Sequence, residues 1–300
     1  MPRRGCVRLF SLVVLAGTAC ANEPLGVGSA PTLSLEGPNV IRHTQRRPIL
    51  ERLLIQGARS EGGVCGFTHS VRLGGGQEVF ESLLEYDPDT CRFIIARHPV
   101  DSALAATKWV PGVTPGRPGR PSGAPSADYE SQTTDVETEL PPPGGGLSPS
   151  NHDYCSSHGQ IGPDHWGSQK MYFDDPIGIR VTRSDLDFYF MNDLDYQCVT
   201  YAHSYLLSEW YRTSGWYLTQ HEHYQGPADT HWTWMRAIGY QTMRNDAFGD
   251  IFCQGYSTWT HYNPNEVRMF WDGYTTFDWN YYAVGGCSSW LTPYRYAWAF

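Results

Sequence analysis

The chain has 300 residues, enough for about two domains at roughly 150 residues each. Its formal net charge is −9, from 22 basic and 31 acidic residues, and it falls to about −12 if three arginines leave with an export signal. A nucleic-acid-binding protein usually needs a basic face, so the charge disfavours that class.

Residues 1–21 have the pattern of an export signal. A positive start precedes an apolar run over residues 9–17, which is too short for a transmembrane helix of about 20 residues. Two processing sites stay open: cleavage before Asn22, or a lipobox ending at Cys20, which would then carry lipid. The positive residues are Arg3, Arg4 and Arg8. The sequence therefore predicts a secreted or cell-envelope protein, which contacts the membrane only if the lipobox is used and Cys20 carries a lipid anchor.

Six cysteines remain after the signal, and an even number in an oxidising compartment favours disulfides. Cys65 and Cys91 share one short segment, so we predict that they pair. We also predict Cys155 with Cys198 and Cys253 with Cys287, although six cysteines allow 15 pairings.

Residues 22–109 are predicted to form a small β unit stapled by the first disulfide. Residues 48–55 fit either a short helix or a strand. The apolar residues within 77–86 likewise fit the spacing of a helix as well as that of a strand. Residues 87–89 form a turn signal, Asp-Pro-Asp, and residues 91–96 read as a strand. Such a unit has a marginal core of its own.

Residues 110–151 are rich in Pro, Gly, Ser and Thr, which is typical of a linker. The acidic stretch 128–139 within it is expected to stay solvated.

Residues 152–300 are predicted to form an antiparallel β sandwich or barrel rich in aromatic residues. Leu186, Phe188 and Phe190 alternate with polar residues, as a half-buried strand requires. Residues 272–273, Asp-Gly, indicate a hairpin with a type I′ turn. The fold class is therefore all-β.

Five short motifs resemble a loosely defined family of exported bacterial β-rich proteins of unknown function. They are residues 86–93 (YDPDTCRF), 175–179 (DPIGI), 214–216 (SGW), 245–248 (NDAF) and 285–288 (GGCS). The resemblance implies an exported two-part β protein and supplies no activity and no site residues.

A histidine pair offers the sharpest local chemistry. His221 and His223 are two apart, so in a strand they share a face. With Asp229 or His231 they could hold a divalent metal such as zinc, and a metal-dependent secreted hydrolase is the alternative function. Against this, residues 224–227 read as a turn and no HExxH motif occurs.

Two further patterns bear on binding. Asp185 and Asp187 could act as paired carboxylates, but a solvated strand face is the favoured interpretation. Exposed aromatic rings can bind sugars, and the candidates are Trp232, Trp234, Trp259 and Trp271. We expect about two thirds of the rings to be core. The leading hypothesis is a non-catalytic binding or structural protein without a cofactor, whose partner is a glycan or another envelope polymer.

Overall fold

The computed structural model describes residues 33–108, 128–139, 162–248, 256–282 and 284–300. Nearly every element is a strand, and all strand pairs are antiparallel, so the predicted all-β class is confirmed. The exceptions are a one-turn helix, α1 (Ser102–Ala105), and two 3₁₀ turns at Arg212–Ser214 and Ser288–Trp290. No helix in these ranges is long and apolar enough to cross a membrane.

Two sheets contain all the strands of the described ranges. Sheet A has nine: β1 (Ile41–Arg42), β2 (Glu51–Gln56), β5 (Glu78–Asp87), β6 (Arg92–His98), β7 (Tyr129–Glu139), β8 (Asp164–Asp174), β9 (Arg180–Asp193), β10 (Cys198–Tyr211) and β16 (Thr292–Ala299). Sheet B has seven: β3 (Ala58–Arg59), β4 (Cys65–Leu73), β11 (Trp216–Pro227), β12 (Trp234–Asn245), β13 (Thr258–Phe270), β14 (Thr275–Tyr282) and β15 (Val284–Gly285). The spatial order is β2-β6-β5-β16-β8-β9-β10-β7 in sheet A, with β1 on β5, and β11-β12-β13-β14-β4-β3 in sheet B, with β15 on β13.

The core lies between the two sheets and is built from alternate residues of each strand. In β9, Leu186, Phe188 and Phe190 are fully buried, as their period-two spacing predicts. Met235 and Ala237 of β12 belong to the same cluster. A sandwich of two sheets therefore buries the face that the alternation predicts.

The disulfide between Cys65 and Cys91 is confirmed, with 5.3 Å between the Cα atoms. Cys65 begins β4 of sheet B and Cys91 directly precedes β6 of sheet A, so the bond ties one sheet to the other. Cys198 and Cys287 are also disulfide-bonded. Their predicted partners, Cys155 and Cys253, lie outside the described residues.

The predicted N-terminal unit does not form a separate domain, because its strands belong to the same two sheets as the C-terminal strands. Strand β4 pairs with β14, and β5 lies between β6 and β16, so early and late segments share both sheets. Residues 33–300 accordingly form one compact unit. The reason is that a small unit leaves open sheet edges, and pairing with strands about 200 residues later satisfies their backbone groups.

The predicted linker also differs over part of its length. Residues 129–139 form β7, which pairs with β10 along its whole length. Thr134 and Val136 are half-buried, whereas Thr133 and Asp135 are exposed. β-branched residues at alternate positions suit a strand with one covered face, and this signal outweighs the acidic composition.

The Asp-Gly hairpin between β13 and β14 is confirmed, but its turn is not type I′. Only Gly273 has positive φ, at 80°, whereas a type I′ turn needs positive φ at both central residues. The amide of Gly273 donates to the Phe270 carbonyl at 3.0 Å, and the amide of Phe270 donates to the Tyr274 carbonyl at 3.0 Å. The loop is therefore longer than the two-residue turn predicted from the sequence.

Candidate functional site

The four tryptophans predicted to bind a ligand do not lie together. Trp232 is only 8% exposed and belongs to the core, while Trp271 lies in the β13–β14 hairpin. Trp234 and Trp259 are half-buried on the outer face of sheet B. Trp259 of β13 lies opposite Arg244 of β12, and Arg244 is ten residues from Trp234 along β12. The rings of Trp234 and Trp259 are therefore about 33 Å apart. One short ligand cannot contact both.

A groove of about 550 Å³ lies on that outer face, beside the edge strand β11. Because Met235 and Ala237 of β12 point into the core, the alternate residues Arg236, Ile238 and Tyr240 point outward. Ile238 is buried beneath the groove, and the other two line it. The groove thus combines an apolar floor with aromatic and charged walls.

Tyr224 forms an exposed wall of the groove, with 54% of its surface accessible. Its ring stands at 73° to that of Tyr240, with 6.0 Å between the centroids. Its hydroxyl donates to Glu222 Oε2 at 2.8 Å, and Gln220 Nε2 donates to Glu222 Oε1 at 3.2 Å. The hydrogen bond to Glu222 raises the pKa of Tyr224. Tyr224 is therefore held in place, with a carboxylate beside its ring.

Arg236 provides a positive charge at the same groove. Arg236 and Arg268 are directly opposite each other in β12 and β13, an arrangement that costs stability when both charges are unpaired. Arg268 pairs with Glu266 at 2.8 Å and with Asp278 at 2.6 Å. Arg236 is exposed and has no ion pair within the described ranges. Its guanidinium can therefore donate to a ligand.

Sequence reasoning missed Tyr224, Tyr240 and Arg236. Residues 224–227 were predicted to form a turn, but β11 continues to Pro227. Gln225, Gly226 and Pro227 follow no strand alternation, so no local signal in the sequence extends β11 to Pro227.

His221 and His223 do share one face, as predicted, and they join the edge strand β11 to β7 and β10. His221 Nε2 lies 2.8 Å from Thr134 Oγ1, and His221 Nδ1 lies 2.6 Å from Ser208 Oγ. His223 Nε2 lies 2.9 Å from Ser204 Oγ, and His223 Nδ1 lies 3.2 Å from the Thr134 carbonyl. Because a carbonyl only accepts, His223 carries its proton on Nδ1. We call this junction the histidine seam.

The other two predicted metal ligands, Asp229 and His231, lie in the turn between β11 and β12. Asp229 accepts hydrogen bonds from the amides of His231 and Thr233, at 3.2 and 3.0 Å, and His231 is exposed. Within the ranges that the structure covers, no group of three or more His, Cys, Asp or Glu residues could hold a metal ion. The metal site stays a prediction, which the zinc content of the purified protein measures.

Asp185 and Asp187 are buried, so the predicted solvated face is wrong. Asp185 accepts from Arg183 Nε at 2.7 Å and from Lys170 Nζ at 3.3 Å. Burial acts to raise the pKa of both carboxyl groups; Arg183 and Lys170 nevertheless lower that of Asp185, while that of Asp187 stays raised. The pair is thus part of a buried ionic cluster, which sequence alternation alone cannot distinguish from a wet face.

We predict that the folded protein loses stability between pH 7 and pH 4.5. Burial lowers the pKa of His43, His223 and His261 to about 4 in each case, whereas unfolded histidine titrates near 6.5. Protons therefore bind the unfolded chain first, and the free energy of unfolding falls as pH falls. Burial raises the pKa of Asp174 to about 6 and also raises that of Asp187. These two carboxyl groups oppose the trend, but the three histidines outnumber them.

The variant His223→Gln tests this pH dependence, because glutamine keeps a donor and an acceptor without titrating. Chemical unfolding at both pH values should show a drop about 2 kcal/mol smaller than in the wild type. An equal drop in the two proteins would contradict the role of the histidine seam.

No family model, no curated protein and no solved structure matches the chain.

Proposed function

We propose that the protein is an exported, non-catalytic binding protein that holds a glycan of the cell envelope or extracellular space in the groove between β11 and β12. The observation that carries the proposal is Tyr224, an exposed ring held beside the Glu222 carboxylate. Aromatic rings pack against the apolar faces of sugars, while neighbouring polar groups bind the hydroxyls. Export and the lipid anchor at Cys20 rest on the sequence of residues 1–21.

Two features of the groove favour a chain over a compact ligand. It is an open depression that runs along β11 and β12, lined by residues from Gln220 to Pro227. The exposed Arg236 lies beyond Ile238 from Tyr240 on the same face, so a chain along β12 would meet a ring and then a cation. Acidic sugars in that chain would bind better than neutral ones, because the guanidinium can bind a carboxylate through two hydrogen bonds.

The variant Tyr224→Ala should lose at least tenfold in affinity for the polymer that the wild type binds, which corresponds to about 1.4 kcal/mol. The ring is exposed, so the fold should survive its removal. Retention is measured on cellulose, chitin, peptidoglycan sacculi and an immobilised acidic polysaccharide, and thermal unfolding confirms that each variant is folded.

Tyr217→Ala is the matched control. Tyr217 is also exposed, on the same strand, but is seven residues away, or about 23 Å. Its removal should leave retention unchanged. The proposal fails if the wild type binds none of the polymers, or if the two tyrosine variants bind equally.

A further inference from the structure

A second depression lies on the outer face of sheet B, beside the groove between β11 and β12. It is lined by the chain from the end of β2 through β3, the first residues of β4, the end of β14 and Asn263 of β13, and its volume is about 660 Å³. This volume is within the range of small-molecule sites. Phe67 and Tyr281 are buried in the core, so their neighbours Thr68 and Asn280 point outward into the depression. The depression therefore opens on the same face as the groove.

Neutral hydrogen-bonding side chains line this depression, and no carboxylate is among the described residues that line it. The neutral polar residues are Gln56, Ser60, Thr68, Asn263 and Asn280. Arg59 also lines the depression, but its guanidinium donates to the carbonyls of Gly63 and Pro88, at 2.8 and 2.6 Å. We call this depression the amide pocket.

Three side chains of the amide pocket present atoms that can bind a ligand. Gln56 Nε2 donates to the carbonyl of Thr90 at 3.1 Å, which leaves Gln56 Oε1 as an acceptor. The Thr68 hydroxyl donates to Asn280 Oδ1 at 2.6 Å, so the hydroxyl oxygen is a second acceptor. Asn280 Nδ2 donates one proton to the Pro264 carbonyl at 3.1 Å and keeps another. Gln56 and Thr68 are exposed, so a ligand in the pocket reaches them.

These atoms define the chemistry of the ligand. They are uncharged acceptors and a donor, and a hydroxyl group donates and accepts at once, so the hydroxyls of a neutral sugar match them. An anionic sugar would lose hydration in the amide pocket and gain no ion pair from these side chains. The groove differs, because the exposed Arg236 there favours an acidic sugar.

The amide pocket and the groove meet at Asn263 and Gln220. Gln220 lines the groove and Asn263 lines the amide pocket. Asn263 Nδ2 lies 3.5 Å from Gln220 Oε1 and 3.2 Å from Thr242 Oγ1. Tyr240 lies at the register shift between β12 and β13, opposite the extra residues of β13 that include Asn263. One ligand can therefore pass from Tyr240 into the amide pocket.

We propose that the amide pocket binds a neutral sugar of the same glycan chain whose acidic sugar lies at Arg236, so that the preferred ligand carries both kinds of unit. This inference rests on the proposed function, because it extends the groove. From β11 to β4 the chain crosses β12, β13 and β14, which is a distance of about 19 Å at the usual spacing of strands. A disaccharide is too short to reach both ends, whereas a hexasaccharide spans them.

The test uses the full mature chain and measures its affinity for defined oligosaccharides by calorimetry. We expect the hexasaccharide of hyaluronan, in which acidic and neutral sugars alternate, to bind at least tenfold more tightly than the hyaluronan disaccharide. It should also bind more tightly than an alginate hexasaccharide, which has only acidic sugars, and than cellohexaose, which has only neutral ones.

Two variants test the amide pocket itself. Ala58→Trp fills it from an exposed position, and Thr68→Val removes one acceptor with little change of shape. Both should weaken binding of the hyaluronan hexasaccharide, Ala58→Trp at least tenfold, and both should leave binding of the disaccharide unchanged. Thr133→Trp is the matched control, because it adds the same ring at an exposed strand position of sheet A. Its affinities should equal those of the wild type.

Tyr224→Ala should weaken binding of both lengths, since the groove holds the chain in either case. The inference is overturned, while the groove stands, if folded Ala58→Trp and Thr68→Val bind the hexasaccharide as tightly as the wild type and Tyr224→Ala does not. It is also overturned if the hyaluronan hexasaccharide binds no more tightly than the alginate hexasaccharide or cellohexaose. If the wild type binds no oligosaccharide and no polymer, the inference and the proposed function fail together. Should one pocket variant fail to fold, the other decides.

Discussion

Replacing Glu81 with alanine is expected to cost about 3–5 kcal/mol, among the largest effects of any single substitution in this protein. Glu81 and Arg295 form an ion pair in which both side chains are completely buried. Removing the carboxylate leaves the guanidinium charged in a place that water does not reach. The cost is therefore that of an uncompensated buried charge, which exceeds the net value of the pair itself.

The surroundings of Glu81 account for the size of the effect. Burial acts to raise the pKa of Glu81, but Arg295 and then His69 reverse this and hold it well below its usual range. Arg97 Nη2 also donates to Glu81 Oε1, at 3.0 Å. Arg295 Nη1 donates to the carbonyl of His69 at 3.1 Å. These contacts connect β4, β5, β6 and β16, so the carboxylate links strands of both sheets.

Urea unfolding monitored by circular dichroism measures the cost. Glu51→Ala is the matched control, because Glu51 also pairs with Arg97, at 2.8 Å, but is exposed. An exposed pair contributes about 0–1 kcal/mol. Equal losses in the two variants would show that Glu81 does not hold a buried charge.

Replacing Trp232 with alanine is expected to cost about 3–5 kcal/mol through the cavity it leaves. The ring belongs to the cluster that contains Phe188 and Met235. The carbonyl of Trp232 accepts from the amide of Val199 at 2.8 Å, which holds the loop before β12 against β10. Its φ is 55°, a conformation that a bulky residue rarely adopts. Packing of the ring therefore offsets backbone strain.

Trp234→Ala is the comparison that separates core from surface. Trp234 stacks on Phe270 with 5.9 Å between centroids, and Arg268 lies 5.8 Å from its ring, but the ring stays half-buried. We expect its loss to cost about 1 kcal/mol. Thermal unfolding of both variants in parallel decides, and a Trp234 variant as unstable as the Trp232 variant would contradict this assignment.

Local patterns in the sequence correctly predicted features that depend on neighbouring residues: a strand, a hairpin and a disulfide. The alternation of Leu186, Phe188 and Phe190 predicted a strand and its buried face, and both are correct. Residues 272–273 predicted a hairpin because a glycine tolerates positive φ, and Gly273 adopts it. Cys65 and Cys91 were predicted to pair from proximity in the chain alone.

Pairing between distant segments could not be predicted in this way. The contact of β4 with β14 joins residues about 200 positions apart, and no local propensity encodes it. The cavity lined by His43, Asp174 and Trp290 depends on the same long-range pairing, because these residues meet only after sheet A has formed. Asp185 was misjudged for a related reason: alternation predicts which side of a strand a residue faces, but not what covers that side.

The groove could not be predicted from the sequence because residues 224–227 were assigned to a turn, whereas they belong to β11. Once β11 extends to Pro227, Tyr224 and Glu222 fall on one face, and the pairing with β12 places Tyr240 opposite Glu222. Locating the candidate site therefore requires both the identity of Tyr224 and the correct end of β11.

Hydroxyl-radical footprinting of the wild-type protein tests the binding groove most directly, because no variant has to fold. The protein is labelled alone and in the presence of whichever glycan polymer retains it, and oxidation of each tyrosine is quantified by mass spectrometry. We predict several-fold protection of Tyr224 and Tyr240, with Tyr217 and the exposed Tyr256 labelled as before. Unchanged labelling of Tyr224 while the polymer is bound would place the glycan elsewhere and contradict the proposed function.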